Sequence, residues 1–186
     1  KIDYIVSNHA EMDHSGALPQ AIKRINPEKV FATRMGAKAL NAHFDLGCEI
    51  TIVEDGETLD IGSDKLTFAD TKMCHWPDSM VTYQHSRQVL YTQDAFGMHL
   101  AGLERYADEY DRTIIDYEAA KYYANILMHL TSFINKTLEK LTALNLDIAM
   151  IAPDHGPIWR TPEDIAGIIG SYAKWAAQEP TDKVVV

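Results

Sequence analysis

His9-Ala10-Glu11-Met12-Asp13-His14 is the stretch on which the reading of this chain turns. Four of its six side chains are imidazoles or carboxylates. They follow Asp3-Tyr4-Ile5-Val6-Ser7-Asn8, which reads as a buried strand and its polar end, and they run into Ser15-Gly16. An ordinary loop uses Asp, Asn, Ser and Gly, which bond to nearby backbone or tolerate positive φ. It has little use for two histidines and two carboxylates in so tight a cluster. Imidazole and carboxylate together suit zinc or iron.

Composition bounds what such a site can serve. At 186 residues and 46% apolar, the chain has the length and hydrophobicity of one folded domain with a real core. The formal net charge of −10 leaves no excess of Lys and Arg to displace counterions, which argues against a nucleic-acid partner. Part of that negative charge is the carboxylate a cation would neutralise. No apolar run approaches a membrane span, and no basic, apolar leader is visible. Cys48 and Cys74 make neither a disulfide framework nor a CxxC site, so the chain reads as cytoplasmic. Cys74 reads as a small buried apolar residue.

Outward from the hexad, the pattern is α/β. Ala17–Ile25 has helical spacing with Pro19 in its first turn. Lys29–Ala32 reads as a strand, Arg34–Phe44 as a helix ended near Gly47, and Glu49–Val53 as a strand. After the Asp55-Gly56 turn, Thr58–Ile61 and Lys65–Asp70 form a hairpin. Met73–Ser79 is a loop. Met80–Gln84 and Gln88–Thr92 form a second hairpin around His85-Ser86-Arg87, closed by Gln93-Asp94-Ala95-Phe96-Gly97. Asp108–Asp116 is acidic and reads as solvated surface. Tyr117–Leu144 is helical, with a break near Thr131. Asp147–Ala152 is a strand, and Pro153-Asp154-His155-Gly156-Pro157 a rigid loop. Thr161-Pro162-Glu163-Asp164 opens a helix to about Ala177, with Thr as cap and Pro in the first turn. Gln178–Asp182 reads as a linker and Lys183–Val186 as the opening strand of another domain. The chain also starts inside a strand without an initiating Met, so it is expected to be a fragment.

Three further ligand-type residues stand at strand ends or in loops stiffened by Gly or Pro: His75, Asp94 and His155. With His9, Glu11, Asp13 and His14 they make four imidazoles and three carboxylates. Positions after strands converge at one edge of a sandwich, so all seven could meet. That is too many for one structural zinc, which takes four ligands. It suits two metals about 3.5–4 Å apart with one carboxylate between them. Three carboxylates favour iron over zinc, although ligand type alone does not decide.

These residues resemble the metallo-β-lactamase superfamily pattern His-x-His-x-Asp-His followed by His, Asp and His. Here Glu11 stands where those hydrolases usually carry the second His, and the set is similar to that of the flavodiiron proteins. The intervals from His14 to His75, Asp94 and His155 match that family. Asp94-Ala95-Phe96-Gly97, Tyr122-Tyr123-Ala124-Asn125-Ile126 and Pro153-Asp154-His155-Gly156 also look like its text. The resemblance implies a metallo-β-lactamase-like αβ/βα sandwich over residues 1–179, lacking its first strands. It implies one iron on His9, Glu11 and His75, another on Asp13, His14 and His155, and Asp94 bridging. It also implies reduction of dioxygen to water or of nitric oxide to nitrous oxide. Electrons would come from FMN in a flavodoxin-like domain following residues 180–186, in a head-to-tail homodimer fed by rubredoxin or a flavoprotein reductase.

Behind the ligands, Asp78, Asp154 and His99 are candidates to orient imidazoles, and Tyr122 or Tyr123 to point a hydroxyl into the pocket. The competing reading of Tyr122 and Tyr123 is core packing. His43 and His129 read as ordinary helix residues and His85 as a turn residue. Trp76, Trp159 and Trp175 read as packing anchors, with Trp76 also placed to wall the pocket. Two other functions stand beside the reductase: a zinc hydrolase using metal-bound hydroxide, and a metal-binding assembly surface without catalysis. Glu11 and the strand-like C-terminus favour the reductase.

Overall fold

Alternation along three strands sets the layers. In β2 (Lys29–Ala32), Val30 and Ala32 turn one way and Phe31 the other. In β5 (Lys65–Asp70) and β6 (Met80–Gln84), Phe68 and Met80 oppose Ala69, Val81 and Tyr83. Strand side chains alternate between faces, so each of these strands has two apolar faces and must be covered on both. In this computed structural model, which describes residues 1–180, two sheets meet face to face and helices cover their outer sides.

The first sheet is parallel, in the order β1 (Tyr4–Val6), β2, β3 (Ile50–Ile52). Its outer face packs on α2 (Leu18–Ile25) and α3 (Arg34–His43) through Leu18, Ile22, Ala37 and Leu40. The second sheet runs β4 (Thr58–Asp60), β5, β6, β7 (Val89–Gln93), β8 (Met150–Pro153). It is antiparallel until β8, which lies parallel to β7. Its outer face packs against α5 (Thr131–Ala143) and the following turn through Leu141, Leu144, Leu146 and Ile148. A further core joins α4 (Arg112–Ile126), α5 and α6 (Pro162–Ala177) to the loops after β7 and β8. Phe31, Val53, Phe68 and Met80 fill the space between the sheets. This is the expected αβ/βα sandwich.

The strand directions place the site. Because β5 and β7 run against β6, and β8 runs with β7, the loops after β5, β7 and β8 leave the second sheet at one end. The loop after β1 joins them: the Met80 amide donates to the Asn8 carbonyl, and Thr82 Oγ1 donates to Asn8 Oδ1.

Several boundaries differ from expectation. Met12–Ser15 forms a one-turn helix, α1, inside the ligand stretch. Asp108–Asp116 is not simply solvated surface: a 3-10 turn spans Ala107–Glu109, and α4 begins at Arg112. Asp111 caps that helix by accepting from the Thr113 amide, and Ile115 is buried. The surrounding acids hid the helical spacing of Ile115 and Ala119. The break near Thr131 is a 3-10 turn, Met128–Leu130. β8 starts three residues later than Asp147, with the Ala149 and Met150 amides donating to the Gln88 carbonyl. Thr161 caps α6 as expected, accepting from the Asp164 amide. The expected strand at Lys183–Val186 lies outside the described residues. Among those described, no helix is long and apolar enough to cross a membrane.

Candidate metal centre

All seven ligand-type residues come together. His9 follows β1, Glu11 stands at the N-terminal boundary of α1, and Asp13 and His14 lie on it. His75 sits between β5 and β6, Asp94 follows β7, and His155 follows β8. Asp94 is at the centre, and its two oxygens face different neighbours. Oδ2 lies 3.3 Å from Nε2 of both His9 and His75, and Glu11 Oε2 is 3.3 Å and 3.0 Å from the same two nitrogens. Oδ1 lies 3.2 Å from His14 Nε2 and 3.4 Å from His155 Nε2. Asp13 closes that side, 3.6 Å from His14 Nε2 and 3.2 Å from His155 Nε2.

The buried side chains of His9, His14 and Asp94 form the floor. Asp13, 54% exposed, and Glu11, 34% exposed, form the mouth. Trp76 stands edge-on to His9, with ring centroids 5.3 Å apart, and walls the His75 side.

Two carboxylates aim the deepest imidazoles. Asp78, itself buried, accepts from His9 Nδ1 at 3.1 Å and from the Ala10 amide at 2.7 Å. Asp154 accepts from His14 Nδ1 at 2.9 Å. A carboxylate accepts only, so each contact puts a proton on Nδ1 and turns Nε2 toward the site. Asp78 and Asp154 therefore stand where they were expected.

Tyr122 and Tyr123 separate cleanly. Tyr122 donates its hydroxyl to Asp94 Oδ1 at 2.9 Å. Tyr123 turns away and packs on Tyr172 and Trp175. His99 is exposed and makes no hydrogen bond among the described residues. Its ring lies edge-on to Tyr122 and His155, at 4.8 Å and 5.3 Å between centroids. Among the other histidines, His43 and His129 are exposed, and His85 bonds to Thr67 Oγ1 at the hairpin turn. Cys74 is buried, and burial pushes its thiol up to about 12, so it is inert as a ligand.

Charge is unbalanced in a way that calls for a cation. Burial opposes protonation of His14, but the Asp154 and Asp94 carboxylates outweigh it and raise the imidazole to about 10. Asp94 is held well below the usual carboxylate range: burial works against its charge, and His14 and His75 more than compensate. Burial, then the Asp94 charge, keeps the Tyr122 hydroxyl protonated far above its ordinary range. His14 Nε2 and Asp94 Oδ2 are buried without a hydrogen-bond partner, an arrangement that needs explaining. A metal ion satisfies both atoms. Ligand atoms of His9, Glu11, His14 and Asp94 lie within 4.8 Å of one another, as do those of Asp13, His14 and His155.

The loop bearing Asp94 is held from several sides. The Phe96 amide donates to Tyr172 Oη, the Phe96 carbonyl accepts from Trp159 Nε1, and Thr92 Oγ1 donates to the Ala95 carbonyl. Trp159 is thus a packing anchor, as expected, and also a hydrogen-bonded brace. Tyr172 and Gln93, which bonds across to the His75 loop, were not visible as site residues. Their signal is long-range hydrogen bonding, which has no local spacing.

A family profile described as ODP family beta lactamase matches residues 1–156. The chain belongs to that family. This ODP domain is 42% identical over 187 residues to a nitric oxide reductase of Moorella thermoacetica, with 100% of the chain and 46% of that protein covered. It is 38% identical, at the same coverage, to the rubredoxin-oxygen oxidoreductase of Megalodesulfovibrio gigas. Among solved structures it superposes on the rubredoxin oxygen:oxidoreductase of Desulfovibrio gigas with a TM-score of 0.93 at 38% identity, covering 97% of this chain and 45% of that one. The flavodiiron protein of Giardia intestinalis gives 0.87 at 34% identity, covering 95% and 42%. The ODP domain spans about half the length of the curated relatives it matches.

Proposed function

We propose that this ODP domain is the metal-binding half of a flavodiiron-type reductase, which converts dioxygen to water or nitric oxide to nitrous oxide. The observation that carries this is Asp94, whose two oxygens each face a separate trio of ligand-type side chains. His9, Glu11 and His75 would hold one iron, and Asp13, His14 and His155 the other, with Asp94 shared. Bound there, a pair of ferrous ions supplies electrons and Lewis acidity to the substrate.

The protein's own groups do the rest. Asp78 and Asp154 keep two imidazoles aimed, each by holding the proton on Nδ1. Tyr122 keeps its proton and anchors Asp94 Oδ1, so it steadies the shared carboxylate rather than acting as an acid. Glu11 and Asp13 leave the pocket open to a small molecule from solvent. Reducing dioxygen to two waters takes four electrons and four protons. Reducing two nitric oxide molecules to nitrous oxide and water takes two of each. The electrons would come from FMN in a flavodoxin-like domain of the whole protein, paired head to tail so that each flavin faces its partner's irons. Rubredoxin or a flavoprotein reductase would recharge the flavin in the cytoplasm. The chains superposed or aligned above include nitric oxide and dioxygen reductases, which supports the reaction class and leaves both substrates open.

The zinc-hydrolase alternative is weakened by Glu11, whose carboxylate adds to the anionic charge around two cations. Metal analysis of the full-length protein tests the choice. About two irons per chain, with consumption of oxygen or nitric oxide by the reduced protein, is the expected result. Two zinc ions with esterase or lactamase turnover would reverse it.

A further inference from the structure

The geometry points to the side-chain amide of Gln93 as the tie that fixes the distance between the His75 and Asp94 loops, making Gln93 a positioning residue for the paired-cation pocket. The inference rests on the two-metal reading above. Gln93 ends β7, is fully buried, and has φ +48. Its Nε2 donates to the Cys74 carbonyl at 2.9 Å, one residue before His75. Its Oε1 accepts from the Asp94 amide at 2.7 Å. One rigid amide plane therefore spans the backbone beside two ligands whose reacting atoms, His75 Nε2 and Asp94 Oδ2, lie 3.3 Å apart. Among the described residues no other hydrogen bond to backbone joins the 71–79 and 93–97 loops; besides it only the His75 and Asp94 side chains themselves meet.

Backbone conformation supports a selected role. Left-handed φ is uncommon for a residue that is neither Gly, Asn nor Asp, and such positions collect at functional sites. Glycine would take this backbone without strain but has no amide to bridge the loops. The β7–β8 register shifts between Tyr91 and Gln93, and bulges of this kind re-aim neighbouring side chains. Here the shift turns the Gln93 amide across the sheet end toward Cys74.

The test uses metal-free full-length protein titrated anaerobically with ferrous ion, comparing wild type with Gln93→Met and Gln93→Asn. Far-UV circular dichroism checks that each folds. Met keeps the volume and loses both hydrogen bonds; Asn keeps an amide too short to reach both partners. A Leu40→Ala control, in the helix layer behind the first sheet, loses stability without touching either loop. Wild type and control should bind two ions. Met should weaken the ion beside His75 by about ten- to a hundredfold while the other binds nearly as before, and Asn should fall between. Unchanged affinities in both Gln93 variants, or an equal loss in the Leu40→Ala control, would overturn the positioning role. Wild type binding fewer than two ions would instead overturn the two-metal reading on which it rests.

Discussion

Asp94 is the residue on which most of the chemistry converges: two imidazole pairs and the Tyr122 hydroxyl all address its carboxylate. Asp94→Ala should reduce metal content from a pair to one ion or fewer and abolish turnover; two retained irons with full activity would refute the shared role. Tyr122→Phe removes one hydrogen bond to a charged oxygen, worth about 1.5–3 kcal/mol. It should leave the metals bound and lower turnover roughly tenfold, which steady-state kinetics beside iron analysis would resolve. His14 gives a pH signature. In the metal-free fold its imidazole rises from 6.5 to about 10. The stability this contributes is complete below the unfolded value and is lost as pH climbs through about 10. Metal must displace that proton, so affinity should increase with pH over the same window and binding should release protons. Calorimetry in buffers of different ionisation enthalpy measures this directly, and a pH-independent affinity without proton release would contradict it.

At the scale of elements, the site depends on loops that interlock at two glycines. A Cβ on Gly97 would meet the His155 carbonyl oxygen at 2.9 Å and the Asp94 carbonyl oxygen at 3.0 Å. A Cβ on Gly156, at φ +79, would meet Met98 Cγ at 2.6 Å. The loops after β7 and β8 can approach only because neither residue has a side chain. Gly97→Ala should push the His155 loop away from Asp94, costing about 1–3 kcal/mol of stability and weakening metal on the His14 and His155 side. Denaturant melts of the metal-free protein and iron titration would check both effects. Asp94-Ala95-Phe96-Gly97 and Pro153-Asp154-His155-Gly156 were legible as sequence text, but the contact between them was not. Helix ends were more readable: Thr161-Pro162 announced α6 because capping is local. The start of α4 was missed because its acidic flank resembles solvated loop.

Over the whole molecule, the three-stranded sheet leaves the outer edge of β1 unpaired among the described residues, beside a cavity of about 570 Å³ lined by Ile5, Leu18, Leu66 and Tyr91. Open strand edges recruit other strands. The 186-residue chain prepared alone should therefore associate as concentration rises, and Ile5→Lys should reduce that association in light scattering; a monodisperse monomer at high concentration would count against this. The sequence by itself determined the α/β class, most strand positions and the seven ligand-type residues, because alternation, capping and residue chemistry act over a few neighbours. Only the tertiary structure decided that Asp94 divides its oxygens between two trios, that Tyr122 rather than Tyr123 faces it, and that Gln93 ties two loops. Those facts depend on strand direction and on side chains far apart in the chain, and no local pattern carries them.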